Sequence, residues 1–178
     1  PIGVHEYDVE KAKTLLQESG VPEGTKIELQ TGDNRTNIDI CEIVQNMLSQ
    51  IGLDVEIQIL EAAAQNQLNA EGKLQMAILS TTSATGDADQ ALLIFPSTYT
   101  GAIMVRDDEI DSILDRGRSA FSNDERKEAY GEIQQINYDM IYTLPVAFPD
   151  TMYGIRNDVE GFIFDPGSRP DLSGVTFK

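Results

Sequence analysis

Two carboxylates lie two residues apart in a run of small polar residues, STTSATGDAD, at positions 80–89, which we call the polar loop. Asp87 and Asp89 could share a metal ion or act as an acid–base pair. The same spacing also suits a helix cap or a contact with an ammonium group. Capping of the segment QALLIF is the favoured interpretation for Asp89, whereas capping and direct ligand contact are equally supported for Asp87.

Other groups for catalysis are scarce, since His5 is the only histidine and Cys41 the only cysteine. His5 lies near the start of the sequence, where the base of a Ser-His-Asp or Cys-His mechanism would be poorly anchored. One histidine and one cysteine also cannot fill the usual zinc ligand sets, and the sequence has no P-loop or GxGxxG motif. We therefore expect a protein that is not an enzyme and that uses no metal or cofactor.

The composition argues against two kinds of partner. Thirty acidic and 13 basic residues give the 178-residue chain a formal net charge of −17, so we do not expect it to bind nucleic acid. No stretch approaches the roughly 20 apolar residues of a membrane-spanning helix. Cys41 cannot form an internal disulfide, and because it lies among apolar residues of a predicted helix, we expect a buried, inert thiol.

The first 80 residues alternate between helices and strands. One helix is predicted to begin after Asp8 and end at Gly20, a second to begin near Asn34 and end at Gly52, and a third, EAAAQNQLNAEG, to end at Gly72. The segments KIELQT, LDVEIQIL and LQMAIL follow them as predicted strands. Apolar strands separated by single helices predict an α/β fold, with a mostly parallel sheet and helices on both faces.

The polar loop begins where the third predicted strand ends. Ligands of open α/β sheets bind outside the carboxyl ends of strands, so this loop is the leading candidate site, with an ordinary surface connection about equally supported by position alone. Beyond it we predict a short helix before Pro96 and two longer helices, the second capped by Ser122. TLPVAFP and TMYGIR are predicted short strands, and the rest is a loop-rich tail.

Several segments carry a family resemblance that covers nearly the whole chain: YDVEKAKTLLQESGVPEG, IVQNMLSQIGLDVEIQIL, LQMAILSTTSATGDADQALLIF, DDEIDSILDRGRSAFSNDERKEAYGEIQQINYDMIYTLPVAF and YGIRNDVEGFIFDP. In combination they resemble the carboxy-terminal lobe of ABC-transporter extracellular solute-binding proteins of family 5, the peptide, glutathione and nickel branch. The resemblance implies a periplasmic-binding-protein-like (type II) lobe. It assigns residues 1–155 to that lobe and residues 156–178 to a tail that returns toward an amino-terminal lobe absent from this sequence.

The resemblance also implies a function. Family members close two lobes on a ligand and deliver it to an ABC permease and ATPase complex in the membrane. We expect a periplasmic or extracellular protein, free or lipid-anchored through a segment outside this sequence, that binds an oligopeptide, a dipeptide or a glutathione-like ligand. A nickel chelate or another small solute is the alternative ligand. A sensor or adhesin, or an enzyme that uses Asp87 and Asp89, is the alternative class of protein.

Many family members carry Ala-Asp-Tyr in the loop after the third strand, where the Asp meets the ammonium group of a peptide. Here Ala84 occupies the position of that Asp, and the TGDAD sequence looks like a subgroup that includes glutathione-type binders. We expect hydroxyl groups to orient the ligand, with Asp87 favouring a cationic group. The expected ligand-facing residues are Thr81, Thr82, Ser83, Thr85 and Asp87, with Tyr99 and Arg106 as weaker candidates.

Overall fold

The computed structural model describes the whole chain except Pro1, Thr82, Ala84, Thr85, residues 93–94 and 96–106, Pro149, Thr151 and residues 165–169. The chain divides into two compact units. Unit 1 comprises Pro1–Thr81 and Ile94–Asp108, and unit 2 comprises Thr82–Leu93 and Glu109–Lys178. Within the described residues, no helix is both long enough and apolar enough to span a membrane.

Unit 1 contains a parallel sheet of three strands. They are β1 (Lys26–Gly32), β2 (Asp54–Leu60) and β3 (Met76–Ile78), in the spatial order β2-β1-β3. β1 pairs with β2 along its whole length and with β3 over positions 29–31. The predicted parallel sheet is therefore confirmed, and the carboxyl ends of its strands lie at one edge.

Three helices accompany these strands: α1 (Val9–Glu18), α2 (Arg35–Ser49) and α3 (Ala62–Ala70). The side chains of Asp8 and Asn34 each accept a hydrogen bond from the backbone amide three residues further on, so they cap α1 and α2. The glycines predicted to end the three helices all adopt positive φ angles. Local chemistry thus marks the beginnings of α1 and α2 and the ends of all three helices.

α2 packs on one face of the sheet and closes the core of unit 1. Leu29, Cys41 and Val55 are buried there, within a shell of partly buried apolar side chains: Ile27, Val44, Leu48, Leu53, Ile57 and Ile78. Cys41 is completely buried, and this desolvation raises the pKa of its thiol against the opposing effect of a hydrogen bond with Thr31. The prediction of a buried thiol is confirmed.

α3 packs against the opposite face of β1. Side chains alternate along a strand, so Gly32 faces away from Leu29 and Thr31. The Oε1 atom of Gln65, on α3, lies 3.3 Å from the position that a Cβ atom of Gly32 would occupy. Helices therefore lie on both faces of the sheet, as predicted.

Unit 2 contains three helices: α4 (Ala88–Leu92), α5 (Asp108–Ser119) and α6 (Asn123–Met140). The first residue of α5, Asp108, is assigned to unit 1 and the rest of that helix to unit 2. Ser122 caps α6 in a capping box with Glu125, which confirms the predicted cap. The buried apolar side chains of α5 and α6 are Ile110, Ile113, Leu114, Ala129, Tyr130 and Ile133. The three helices predicted for this part of the sequence are all present.

The chain after α6 is less regular than the sequence predicts. The carboxamide of Asn137 donates to the carbonyl oxygen of Thr143 at 3.0 Å and accepts from its amide at 2.8 Å, which fixes the first turn beyond the helix. The strands predicted at TLPVAFP and TMYGIR are wrong, because none of the described residues between 143 and 156 pairs with a strand. Phe148 and Met152 are 91% and 93% exposed, so the alternating apolar residues of this segment do not mark a buried face.

The tail is loop-rich, as predicted, and its described residues form one short antiparallel ladder. β4 (Val159–Glu160) pairs with β5 (Thr176–Phe177), and Ile163 bridges to Asp171. Gly161 has a φ of 76°, and a Cβ atom there would lie 2.0 Å from the backbone oxygen of Gly174. The two backbone segments therefore approach too closely to admit a side chain.

Candidate functional site

The polar loop leaves unit 1 from the carboxyl end of β3. Thr31, buried on the neighbouring β1, donates a hydrogen bond from Oγ1 to the carbonyl oxygen of Ile78 at 3.1 Å. Ser80 donates from Oγ to Oδ1 of Asn37 at 2.9 Å, and Asn37 is buried in the first turn of α2. These contacts fix the start of the loop, and Thr81 follows them as an exposed residue.

The rest of the polar loop belongs to unit 2. Ser83 donates a long hydrogen bond of 3.4 Å to Oε1 of Gln90, on α4. Asp87 immediately precedes α4, and its Oδ1 accepts from the amide of Asp89 at 2.8 Å, so Asp87 caps this helix. The predicted cap at Asp89 is wrong, because α4 begins at Ala88 and Asp89 already lies in its first turn.

Two arginines bind the carboxylates of the polar loop. Nη2 of Arg126, on α6, lies 2.6 Å from Oδ1 and 2.8 Å from Oδ2 of Asp87. Nε of Arg118, on α5, lies 2.8 Å from Oδ1 of Asp89. All four side chains are partly exposed, so each pair contributes only about 0–1 kcal/mol. Together they attach the start of α4 to both longer helices of unit 2.

Tyr130 lies beside these ion pairs. The guanidinium carbon of Arg126 is 5.2 Å from the centroid of its ring, within cation–π range. The ring also fills the space above Gly117 on α5. Burial, and next the charge of Asp89, raise the pKa of the Tyr130 hydroxyl. Among the described residues this buried hydroxyl has no hydrogen-bond partner.

An open cavity of about 400 Å³ lies next to the Asp87–Arg126 pair within unit 2. Its lining includes Gly86, Asp87, Asn123, Arg126, Lys127 and Tyr130. On this surface Arg126 is paired with Asp87, and the amine of Lys127 lies 3.9 Å from a carboxylate oxygen of Asp124. The part of the chain that the structure describes contains no group of three or more histidine, cysteine or carboxylate side chains that could hold a metal ion.

The structure describes only some of the residues that are predicted to face a ligand. Thr82, Thr85, Tyr99 and Arg106 lie outside the described residues. Thr81 belongs to unit 1, while Ser83 and Asp87 belong to unit 2, where both contact α4 or its first turn.

Sequence reasoning missed Arg126 and Arg118. Arg126 is 39 residues from Asp87 and Arg118 is 29 from Asp89, so no local pattern joins either pair. The signal that was available is composition. Two carboxylates only two residues apart favour nearby counter-ions in a chain with 30 acidic and 13 basic residues, and the predicted helices that became α5 and α6 carry three arginines.

The three-stranded parallel sheet with helices on both faces, from whose carboxyl edge the polar loop leaves, is an open α/β architecture like that of the lobes of periplasmic binding proteins. The chain is similar to the solved structure of a dipeptide-binding protein from Pseudoalteromonas sp. SM9913 in complex with Met-Leu. The TM-score is 0.78 at 22% sequence identity, over 97% of this chain and 36% of that chain. At this identity the similarity shows the fold alone.

Residues 1–102 match the model of bacterial extracellular solute-binding proteins, family 5 Middle, and the chain belongs to this family. It is 29% identical to Di/tripeptide-binding protein 2 from Pseudomonas aeruginosa, over 95% of this chain and 34% of that protein. It is 25% identical to the glutathione-binding protein GsiB from Salmonella paratyphi A, over 90% of this chain and 34% of that protein. The chain thus spans about a third of the length of these relatives.

Proposed function

We propose that this chain is the carboxy-terminal lobe of the solute-binding component of an ABC importer. In this proposal it helps to bind an oligopeptide, a dipeptide or a glutathione-like ligand between two lobes. The observation that carries the proposal is similarity to relatives named for di/tripeptide and glutathione binding, over 95% and 90% of the chain. The position of the polar loop at the carboxyl edge of a parallel sheet supports it.

The proposed ligand-facing groups are hydroxyls and one carboxylate of the polar loop, with two further residues: Thr81, Thr82, Ser83, Thr85, Asp87, Tyr99 and Arg106. The hydroxyl groups can donate and accept hydrogen bonds with the amides of a peptide-like ligand. Asp87 is 49% exposed at its side chain, so a cationic group of the ligand can reach it. The anchoring of Ser80 to Asn37 supports a loop whose first residue is positioned before the ligand arrives.

The proposal is for binding without chemical conversion. Asp87 and Asp89 are both bound by arginines, which favours a positioning or ligand-orienting role for them over acid–base catalysis. A lobe that closes on a solute needs only hydrogen-bonding groups and an occasional charge.

We assign residues 1–155 to the lobe and residues 156–178 to a tail that returns toward the amino-terminal lobe. The exposed apolar side chains that precede the tail, including Phe148 and Met152, support a further packing surface outside this sequence. The partners in this proposal are that lobe and an ABC permease and ATPase complex. The compartment is the periplasm or the cell exterior, with the protein free or lipid-anchored through a segment outside this sequence.

Calorimetric titration of the full-length protein tests the function. The probes are Ala-Ala, tri-alanine, glutathione and a nickel–histidine chelate, and we expect saturable binding of a peptide or of glutathione. Saturation by the nickel chelate alone would instead support the nickel branch of the family. Binding of none of the probes, or conversion of a probe into a product that Asp87→Asn abolishes, would overturn the proposal.

Two pairs of variants test the proposed loop contacts. Thr81→Val and Ser83→Ala should each weaken binding about 3- to 10-fold, because each removes a hydroxyl hydrogen bond. Thr36→Val and Ser112→Ala are the matched controls, since both residues are exposed on helices of the same units. Equal effects from the loop variants and the controls would contradict the assignment of the loop.

A further inference from the structure

Arg126 already occupies the carboxylate that is proposed to receive a cationic group of the ligand. One nitrogen, Nη2, is within hydrogen-bond distance of both oxygens of Asp87, at 2.6 Å and 2.8 Å. Oδ1 also accepts from the amide of Asp89 at 2.8 Å. A ligand cation that approached Asp87 would therefore meet a carboxylate whose charge is already neutralised.

The guanidinium of Arg126 is held in place by more than this ion pair. It lies over the ring of Tyr130, with 5.2 Å between its carbon and the ring centroid. Tyr130 is buried, and its ring is packed against Gly117 on the neighbouring helix. Because the aromatic surface restricts the side chain before any ligand binds, Arg126 loses little conformational entropy in holding Asp87.

The same pair is accessible to a ligand. The side chains of Arg126 and Asp87 are 30% and 49% exposed, and both line the open cavity of about 400 Å³. Lys127 lines it as well, is exposed, and forms a long ion pair of 3.9 Å with Asp124. Lys127 thus has a carboxylate partner of its own, so the competition for Asp87 depends on Arg126.

We propose that Arg126 determines charge selectivity at the polar loop: it is an internal counter-ion that competes with a cationic group of the ligand for Asp87. This inference rests on the proposed function and on the proposed contact with Asp87. It makes the site tolerant of ligands that present an uncharged group at this point. Removing Arg126 takes this counter-ion away from Asp87 and increases the preference for an ammonium group.

The test compares two matched ligand pairs on the full-length protein: Ala-Ala with N-acetyl-Ala-Ala, and glutathione with N-acetyl-glutathione. For each pair, calorimetry gives the ratio of the Kd of the acetylated form to that of the free amine. In Arg126→Gln we expect this ratio to rise about 3- to 10-fold in the pair that binds, because a partly exposed carboxylate gains an ammonium partner. In Arg126→Gln combined with Asp87→Asn, the increase should disappear.

Arg116→Gln is the matched control. Arg116 forms another partly exposed ion pair between α5 and α6, with Glu132, and does not line the cavity. Its substitution should leave the ratio within about twofold of the unsubstituted protein. A thermal midpoint measured for every variant reports folding. If Arg126→Gln does not fold, Arg126→Met replaces it, because it keeps an unbranched side chain beside Tyr130 without the charge, and we expect the same rise in the ratio.

The outcomes separate the two proposals. If no probe of either pair binds, the proposed function fails and the inference fails with it. If probes bind but the ratio in folded Arg126→Gln, or in its replacement Arg126→Met, stays as in the unsubstituted protein, the charge-selectivity inference is overturned while the proposed function stands. A change in the ratio that Arg116→Gln reproduces also overturns the inference.

Discussion

The ring of Tyr130 occupies the space into which a side chain at Gly117 would project. A Cβ atom built on Gly117 lies 2.4 Å from Cε1 and 2.9 Å from Cζ of that ring. Both residues are buried, Gly117 on α5 and Tyr130 on α6. The missing side chain is therefore what allows the two helices to meet around this ring, and the ring in turn supports Arg126.

Gly117→Ala should destabilise the chain by about 1–3 kcal/mol, because the added methyl group overpacks a buried contact. Urea unfolding followed by circular dichroism measures the change. Gly131→Ala is the control on α6: nothing lies within 4 Å of its Cβ position, so the higher helix propensity of alanine should stabilise the chain by up to about 1 kcal/mol. Equal effects of the two substitutions would refute the packing argument.

Ser122→Ala should lower the free energy of unfolding by about 1 kcal/mol. The substitution removes the acceptor for the Glu125 amide, at 3.2 Å, and breaks the capping box of an 18-residue helix. Ser112→Ala, at an exposed position within α5, should change the same quantity by less than about 0.5 kcal/mol. If Ser112→Ala lowered the free energy of unfolding as much as Ser122→Ala, the capping box would make no specific contribution to stability.

The thiol of Cys41 should make stability depend on pH in the alkaline range. Burial raises its pKa in the folded state, so above the unfolded-state value of about 8.5 the unfolded chain loses this proton first. This contribution to stability is complete below that pH and decreases as the pH rises. Urea unfolding between about pH 7 and 10 should therefore show a steeper loss for the natural chain than for Cys41→Ala. Parallel pH profiles would contradict the burial of the thiol.

The exposed apolar side chains after α6 should contribute little to the stability of this chain on its own. Phe148→Gln with Met152→Gln should change its free energy of unfolding by less than about 0.5 kcal/mol, whereas Leu114→Ala, which is fully buried, should cost about 2–5 kcal/mol. In the full-length protein the same pair should be clearly destabilising if this segment packs against another lobe. No effect in either protein would remove the support that this segment gives to a second lobe.

The sequence predicts the helices and the parallel sheet well because their determinants are local. Caps such as Asp8, Asn34 and Ser122 act within three residues, and apolar periodicity identifies the buried face of each element. The strands predicted after α6 fail for the complementary reason: an alternating pattern requires a neighbouring strand, and periodicity alone does not provide one.

Site chemistry is less predictable because it depends on distant residues. The carboxylates of the polar loop could be found from their spacing, but Arg126 could not, since α6 brings it to Asp87 only in the folded chain. Gln30 is a similar case. It is buried on the sheet face opposite Leu29 and donates to Gln58 at 3.1 Å, a partner 28 residues away that the strand pattern alone does not identify.

The chain crosses between the two compact units three times, after Thr81, Leu93 and Asp108. A contiguous fragment that contains all of unit 1 must run from residue 1 to 108, and one that contains all of unit 2 must run from residue 82 to 178. Encoding the units as separate polypeptides would therefore require residues 82–108 twice. All the proposed ligand-facing residues except Thr81 lie in that duplicated stretch, so gene fission could not divide them without copying them.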